Sequence, residues 1–155
     1  MNIRNALITA LLFCIGGLAV NGQSPQIQVE IKLPKTTVKN HEGFIVLTAL
    51  RNISNVEKQV RVWSCSYPNQ WGADNPYIYV PYDSDCMKNA FGLVKLKPGE
   101  SYKRNLPVRV VLASGDSTPK SVTFRLGYVN ERQWALSTNG SPPIWSNAVT
   151  VSVTR

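Results

Sequence analysis

Two cysteines, one histidine and a group of acidic side chains are the residues in this chain whose types could do chemistry. Cys65 and Cys86 bracket a stretch dense in Tyr, Pro, Asn and Asp, and the third cysteine, Cys14, lies in an apolar N-terminal run. A thiol nucleophile needs a base that draws off its proton. The sole histidine, His41, sits in the polar turn KNHEG, and nothing in the spacing sets it beside either cysteine. A structural zinc site needs four closely spaced nitrogen or sulfur ligands, which two cysteines and a distant histidine do not supply. Asp74, Asn75, Asp83 and Asp85 could gather oxygen ligands for calcium, but Lys88 occupies the place where an EF-hand loop requires glycine. Turn-forming aspartates are the simpler reading. A glycosidase pair would need a second carboxylate on an opposing wall. Glu131 is the one remote acid near an aromatic loop, and the SGDS run at 114–117 has no histidine to serve it. The chain is therefore expected to be non-catalytic, with no metal and no cofactor.

What remains for Cys65 and Cys86 is a disulfide. The N-terminus carries Arg4 and then a charge-free apolar run from Ala6 to Val20, with small residues before Gln23. That run is short for a membrane span and fits a cleaved secretory signal over residues 1–22. Export sends the cysteines to an oxidising compartment, where a pair tends to close. A Cys65–Cys86 ring would staple the loop 66–86 over its parent strand, contributing roughly 3 kcal/mol in the chain-entropy account. The mature protein, residues 23–155, is expected to be secreted or periplasmic, with no membrane span.

Lys and Arg outnumber Asp and Glu by 17 to 9, a net charge of +8. The basic residues are scattered, so a solubilising surface is expected and no nucleic-acid site. Lys95, Lys97, Lys103 and Arg104 flank the KPGE turn, where they could touch an anionic envelope polymer or simply guard a strand edge. The aromatic surplus is more pointed. Trp71, Tyr77, Tyr79 and Tyr82 lie in the stapled loop, and Arg132 and Trp134 lie in a long turn-rich link. Flat apolar faces with polar tips suit contact with a protein or glycan. These six form the expected contact surface, with Asp74 as a polar neighbour, while Trp63 and Trp145 are assigned to packing.

Strands must position these residues. IQVEIKL alternates with period two, and KQVRVWSC sets Val60 and Val62 on one face with Arg61, Trp63 and Cys65 on the other. GFIVLTALRN is apolar on both faces from Phe44 to Leu50, which reads as a central strand. YIYV, FGLVKL, the Leu106–Leu112 run, SVTFRLGYV and AVTVSVT complete about seven to eight strands, with turns every 8–12 residues. Pro107 cannot donate to a ladder and points to an edge or a bulge. The expected fold is all-β, a single antiparallel β-sandwich carrying a disulfide-stapled insertion.

The stretches LTALRNISN, LKPGESY and IWSNAVTVSV resemble the immunoglobulin-like or fibronectin-III-like sandwiches of bacterial secreted proteins. The resemblance implies the fold and no particular activity. The expected function is a binding or accessory module for an unknown envelope protein or glycan. The alternatives are a carbohydrate-binding module and a protease-inhibitor-like sandwich presenting loop 66–86.

Overall fold

The computed structural model describes residues 26–82, 89–112, 120–130 and 142–154. Cys86, Asp83, Asp85, the SGDS run, Glu131, Arg132, Trp134 and residues 1–25, with the expected signal over 1–22, lie outside them. Among the described residues the chain is all-β apart from a single 3-10 turn at Tyr67–Gln70.

The first layer holds β1 (Ile27–Lys32), β3 (Gly43–Asn52), β8 (Ser101–Val110) and β6 (Ile78–Tyr79), in the order β1-β3-β8-β6. The run GFIVLTALRN is central, as its apolar content implies, with β1 on one side and β8 on the other. Pro107 pairs opposite Ile45, beyond the two residues through which β6 reaches β8, so its missing donor falls on an open edge.

The second layer is assembled from pieces. β2 (Thr37–Lys39), β12 (Val149–Thr154) and β9 (Lys120–Phe124) form one piece. β11 (Ile144–Trp145), β10 (Leu126–Tyr128) and β5 (Trp71–Ala73) form another, and β4 (Lys58–Trp63) with β7 (Phe91–Leu96) makes the third. The chain runs straight from β9 into β10 through Arg125, and from β11 into β12 through residues 146–148. In the first layer β1-β3-β8-β6 follows the A-B-E-D order of an immunoglobulin-like sandwich, and β5-β10-β11 follows its C-F-G order. The expectation of a wholly antiparallel sandwich needs one correction, because β2 pairs parallel to β12. The QIQVEIKLPKTTVK segment crosses from one layer to the other, so its second part runs alongside the last strand in the same direction.

Period-two alternation builds one core between the layers. Val29, Ile31, Val46, Leu50, Leu106 and Val108 from the first layer face Val122, Phe124, Leu126, Tyr128, Val151 and Val153 from the second. Val60, Val62 and Leu96 close one end.

The strand breaks have side-chain causes. At Arg125 the backbone N–H donates to Asp74 Oδ1 (2.7 Å) and the guanidinium Nε to Asp74 Oδ2 (2.8 Å), so a carboxylate stands where a neighbouring strand would. At Asn147 the side chain imitates a peptide. Its Oδ1 accepts from Ile31 N (2.9 Å) and its Nδ2 donates to Ile31 O (3.1 Å), sealing the outer edge of β1. Twelve strand segments therefore stand among the described residues, where about seven to eight strands are expected from the sequence.

Candidate functional site

The aromatic loop does not present all its rings to solvent. Trp71 is only 2% exposed. The turn at Tyr67–Gln70, with Pro68 as its second residue, feeds β5, which pairs with β10 and carries Trp71 inward opposite Tyr128. The Trp71 ring packs against Tyr67 at 5.7 Å and Tyr128 at 5.3 Å. Trp71 is thus a core residue, contrary to its expected place on the contact surface. Three neighbouring aromatic faces gain more from each other than one gains from water. Trp63 is half-buried and meets Phe91 edge to face at 5.5 Å, in keeping with its assignment to packing. Trp145 carries Arg125 over its ring at 5.3 Å.

Gln70 is fully buried and organises this end. Its Nε2 donates to the carbonyls of Arg61 (3.0 Å) and Val129 (3.2 Å), and its Oε1 accepts from Trp63 N (3.1 Å). Tyr128 Oη also donates to Arg61 O (2.6 Å). Nothing in the sequence pattern marks this glutamine. Deeper in, Thr48 Oγ1 donates to Arg104 O (2.9 Å), which leaves Tyr67 Oη as the donor in its 2.9 Å bond to Thr48. Burial pushes both the Tyr67 and the Tyr128 phenols well above their ordinary range.

Asp74 also departs from the expected role of polar neighbour to an aromatic surface. It is tied to Arg125. Burial pushes its carboxyl up, but the bonds from the Arg125 N–H and guanidinium, with that side chain's charge, outweigh it and hold the group below the ordinary range. Among the described residues no group of three or more His, Cys, Asp or Glu side chains gathers as a metal site would require. Cys65 is disulfide-bonded. Both other cysteines, Cys14 and Cys86, lie outside the described residues.

The exposed tyrosines lead to a different surface. Tyr77, Tyr79 and Tyr82 all stand in solvent, Tyr79 being 51% exposed. Tyr79 is opposite Arg109 on the outer face of the first layer. Down that face the register sets Ile45 beside Pro107, then Lys32, Leu47 and Asn105 in one row, then Glu30, Ala49 and Lys103 in the next. Ile45 and Leu47 are 44% and 41% exposed although they belong to the central strand. An open groove of about 870 Å³ crosses the lower rows, lined by Glu30, Lys32, Leu47, Arg51, Ser101 and Lys103 among others. Glu30 faces Arg51 at 3.8 Å, while Lys32, Lys103 and Arg109 have no acidic partner among the described residues. The groove is therefore apolar along its floor and positive along its walls. The four basic residues around the KPGE turn do not form one patch. Lys103 joins this face, Lys95 lies on β7, and Arg104 turns inward over the Tyr67 ring at 4.8 Å.

The second apolar face of β3, from Phe44 to Leu50, reads in the sequence as a central strand apolar on both sides. It was the available signal for this site, and the missing cover is what the sequence does not express.

The strand order and the uncovered sheet face together define an all-β sandwich of immunoglobulin-like order with one open, basic outer face. No protein-family model matches the chain, and no curated protein matches it. Among solved structures it is similar to a PapD-like (ASH) domain of human CEP192, PapD-like domain 7. That match has 10% identity over 97% of this chain and 94% of the other, with a TM-score of 0.29. Among the described residues no helix is long and apolar enough to cross a membrane.

Proposed function

We propose that this protein is an exported, non-catalytic binding module that takes an anionic partner across the outer face of its four-stranded sheet. The observation that carries the reading is the continuous open face from Tyr79 and Arg109 through Ile45 and Leu47 to Lys103 and Arg51. The outer face of a sandwich sheet usually carries polar side chains, so Ile45 and Leu47 stand out on the central strand, and apolar patches rimmed by charge mark contact sites. Lys32, Lys103 and Arg109 give that patch its sign. The partner class is an envelope glycan or protein rich in carboxylate or sulfate groups.

Export is supported by the charge-free apolar run Ala6–Val20 after Arg4. The disulfide at Cys65 fits an oxidising compartment, secreted or periplasmic. Its partner is proposed to be Cys86. In support, Ser64 N donates to Ala90 O (2.9 Å) and Ser66 N to Asn89 Oδ1 (3.4 Å), so the chain just after Cys86 runs beside Cys65. Such a staple holds the segment leading to Tyr82. The exposed Tyr77 and Tyr79 favour a glycan as one form of the partner, since sugar rings stack on such faces.

The test uses heparin as a polyanionic probe and a neutral glucan as control. Heparin is expected to bind and the glucan not. The double variant Lys32→Glu, Lys103→Glu should weaken heparin binding at least tenfold. The charge-matched pair Lys39→Glu, Lys97→Glu, away from the groove, should change it less than threefold. Equal losses in the two variants would reduce the effect to net charge and overturn the reading.

A further inference from the structure

β4 and β7 form a two-stranded piece with two very different flanks. The β4 flank is closed by side chains. Arg61 N donates to Asn130 Oδ1 (2.8 Å), Arg61 O accepts from Gln70 and Tyr128, and Trp63 N donates to Gln70. The other six-residue edge strand, β1, is closed by Asn147. The β7 flank has no such cover. Ser64 N bonds Ala90 O, which fixes the register so that Gly92, Val94 and Leu96 turn their peptide groups toward β4. The N–H and C=O groups of Phe91, Leu93 and Lys95 then point away, and they have no partner among the described residues. Their side chains are open too, with Phe91 52% and Leu93 56% exposed.

We infer that this flank is a docking edge for a second copy of the chain. Two β7 strands pair antiparallel about a two-fold axis at Leu93, giving one sheet in the order β4-β7-β7-β4. The residues themselves favour this occupant. With Leu93 opposite Leu93 of the partner subunit, Phe91 falls opposite the partner's Lys95, and Lys95 opposite the partner's Phe91. Every outward peptide group then meets an outward peptide group, as hydrogen-bonded antiparallel pairs require. No like charges stand directly opposite, and each lysine lies beside an aromatic ring, a favourable contact. Arg61 already uses Phe91 in this way at 4.9 Å. The two Leu93 and two Phe91 side chains join into one apolar strip with Trp63 at each end. A two-fold contact consumes the edge on both copies, so growth stops at the dimer.

The protein purified after export is followed by sedimentation equilibrium from roughly 10 µM to roughly 1 mM, the range in which small interfaces associate. Its mass should rise toward twice the monomer value. Leu93→Pro removes only an outward N–H, leaves the ladder to β4 intact, and should hold the mass at one chain with an unchanged melting curve. Leu93→Cys places two sulfurs across the axis at a separation a disulfide accepts. It should crosslink at least tenfold faster than Lys95→Cys, whose own counterpart is far away. A monomer at every concentration overturns the inference. So does association that survives Leu93→Pro, which would run through another surface such as the open sheet face, or crosslinking equal in the two cysteine variants.

Discussion

Gln70 shows how one side chain can replace a strand. It reads three backbone groups on two segments from a side chain that is itself closed to water. Gln70→Ala strands the Trp63 N–H and the Val129 carbonyl and should cost about 3 kcal/mol. The check is a lower urea midpoint at unchanged slope. Asp74 acts similarly on Arg125. Its folded-state carboxyl titrates below the unfolded one, so its contribution is complete above the unfolded range and fades as pH falls through the folded value. Asp74→Asn should flatten that acidic limb of the stability curve while lowering stability at neutral pH, as urea titrations across pH would show. Neither residue was legible beforehand, because a polar residue in a turn-rich stretch looks alike whether it reaches inward or outward. Trp71 fails for the same reason. The tight turn at Tyr67–Gln70 decides which way that ring points, and alternation cannot be counted through a turn.

At the scale of elements the sequence was far more telling. Alternation placed Val29 and Ile31, Val60 and Val62, and the Val122–Tyr128 series on the buried side, where all of them lie. Period two survives translation because it depends only on the pleat. The breaks in the second layer did not show, since they arise from Asn147 and Asp74 standing in for backbone, a contact across more than fifty positions of chain in each case. The Pro98-Gly99 turn was legible, and Gly99 adopts a φ of 79° there. A Cβ at Gly99 would meet nothing within 4 Å, so Gly99→Ala should cost only the left-handed backbone penalty, about 1 kcal/mol. A thermal melt measures it. A much larger loss would mean that the turn also serves the neighbouring Asn52 carbonyl, which accepts from Gly99 N (2.9 Å).

For the molecule as a whole, the all-β architecture follows from turn spacing and the choice of a sandwich over a barrel from uneven strand lengths and the Cys-bearing insertion, while the location of the exposed face does not. Which side of a sheet a layer covers is decided by strands far away in sequence. The core also sets an alkaline limit. Tyr67 and Tyr128 ionise in the unfolded chain near pH 10, their ordinary value, and higher than that when folded. Their contribution is complete below about pH 10 and is lost as pH rises beyond it. Phenolate absorbance from these two rings should therefore appear together with loss of the near-ultraviolet signal; Tyr67→Phe and Tyr128→Phe each remove part of that dependence.

The β4–β7 pair hangs from the rest of its layer by the amide of Gln70, the amide of Asn130 and one phenol, with no continuous ladder between them. Such a seam opens by turning a few rotamers, whereas a ladder must unzip. The pair is thus held by its buried Val60, Val62 and Leu96 and by scattered side-chain bonds, and its amide protons should trade with deuterium before those of the laddered β3 and β8.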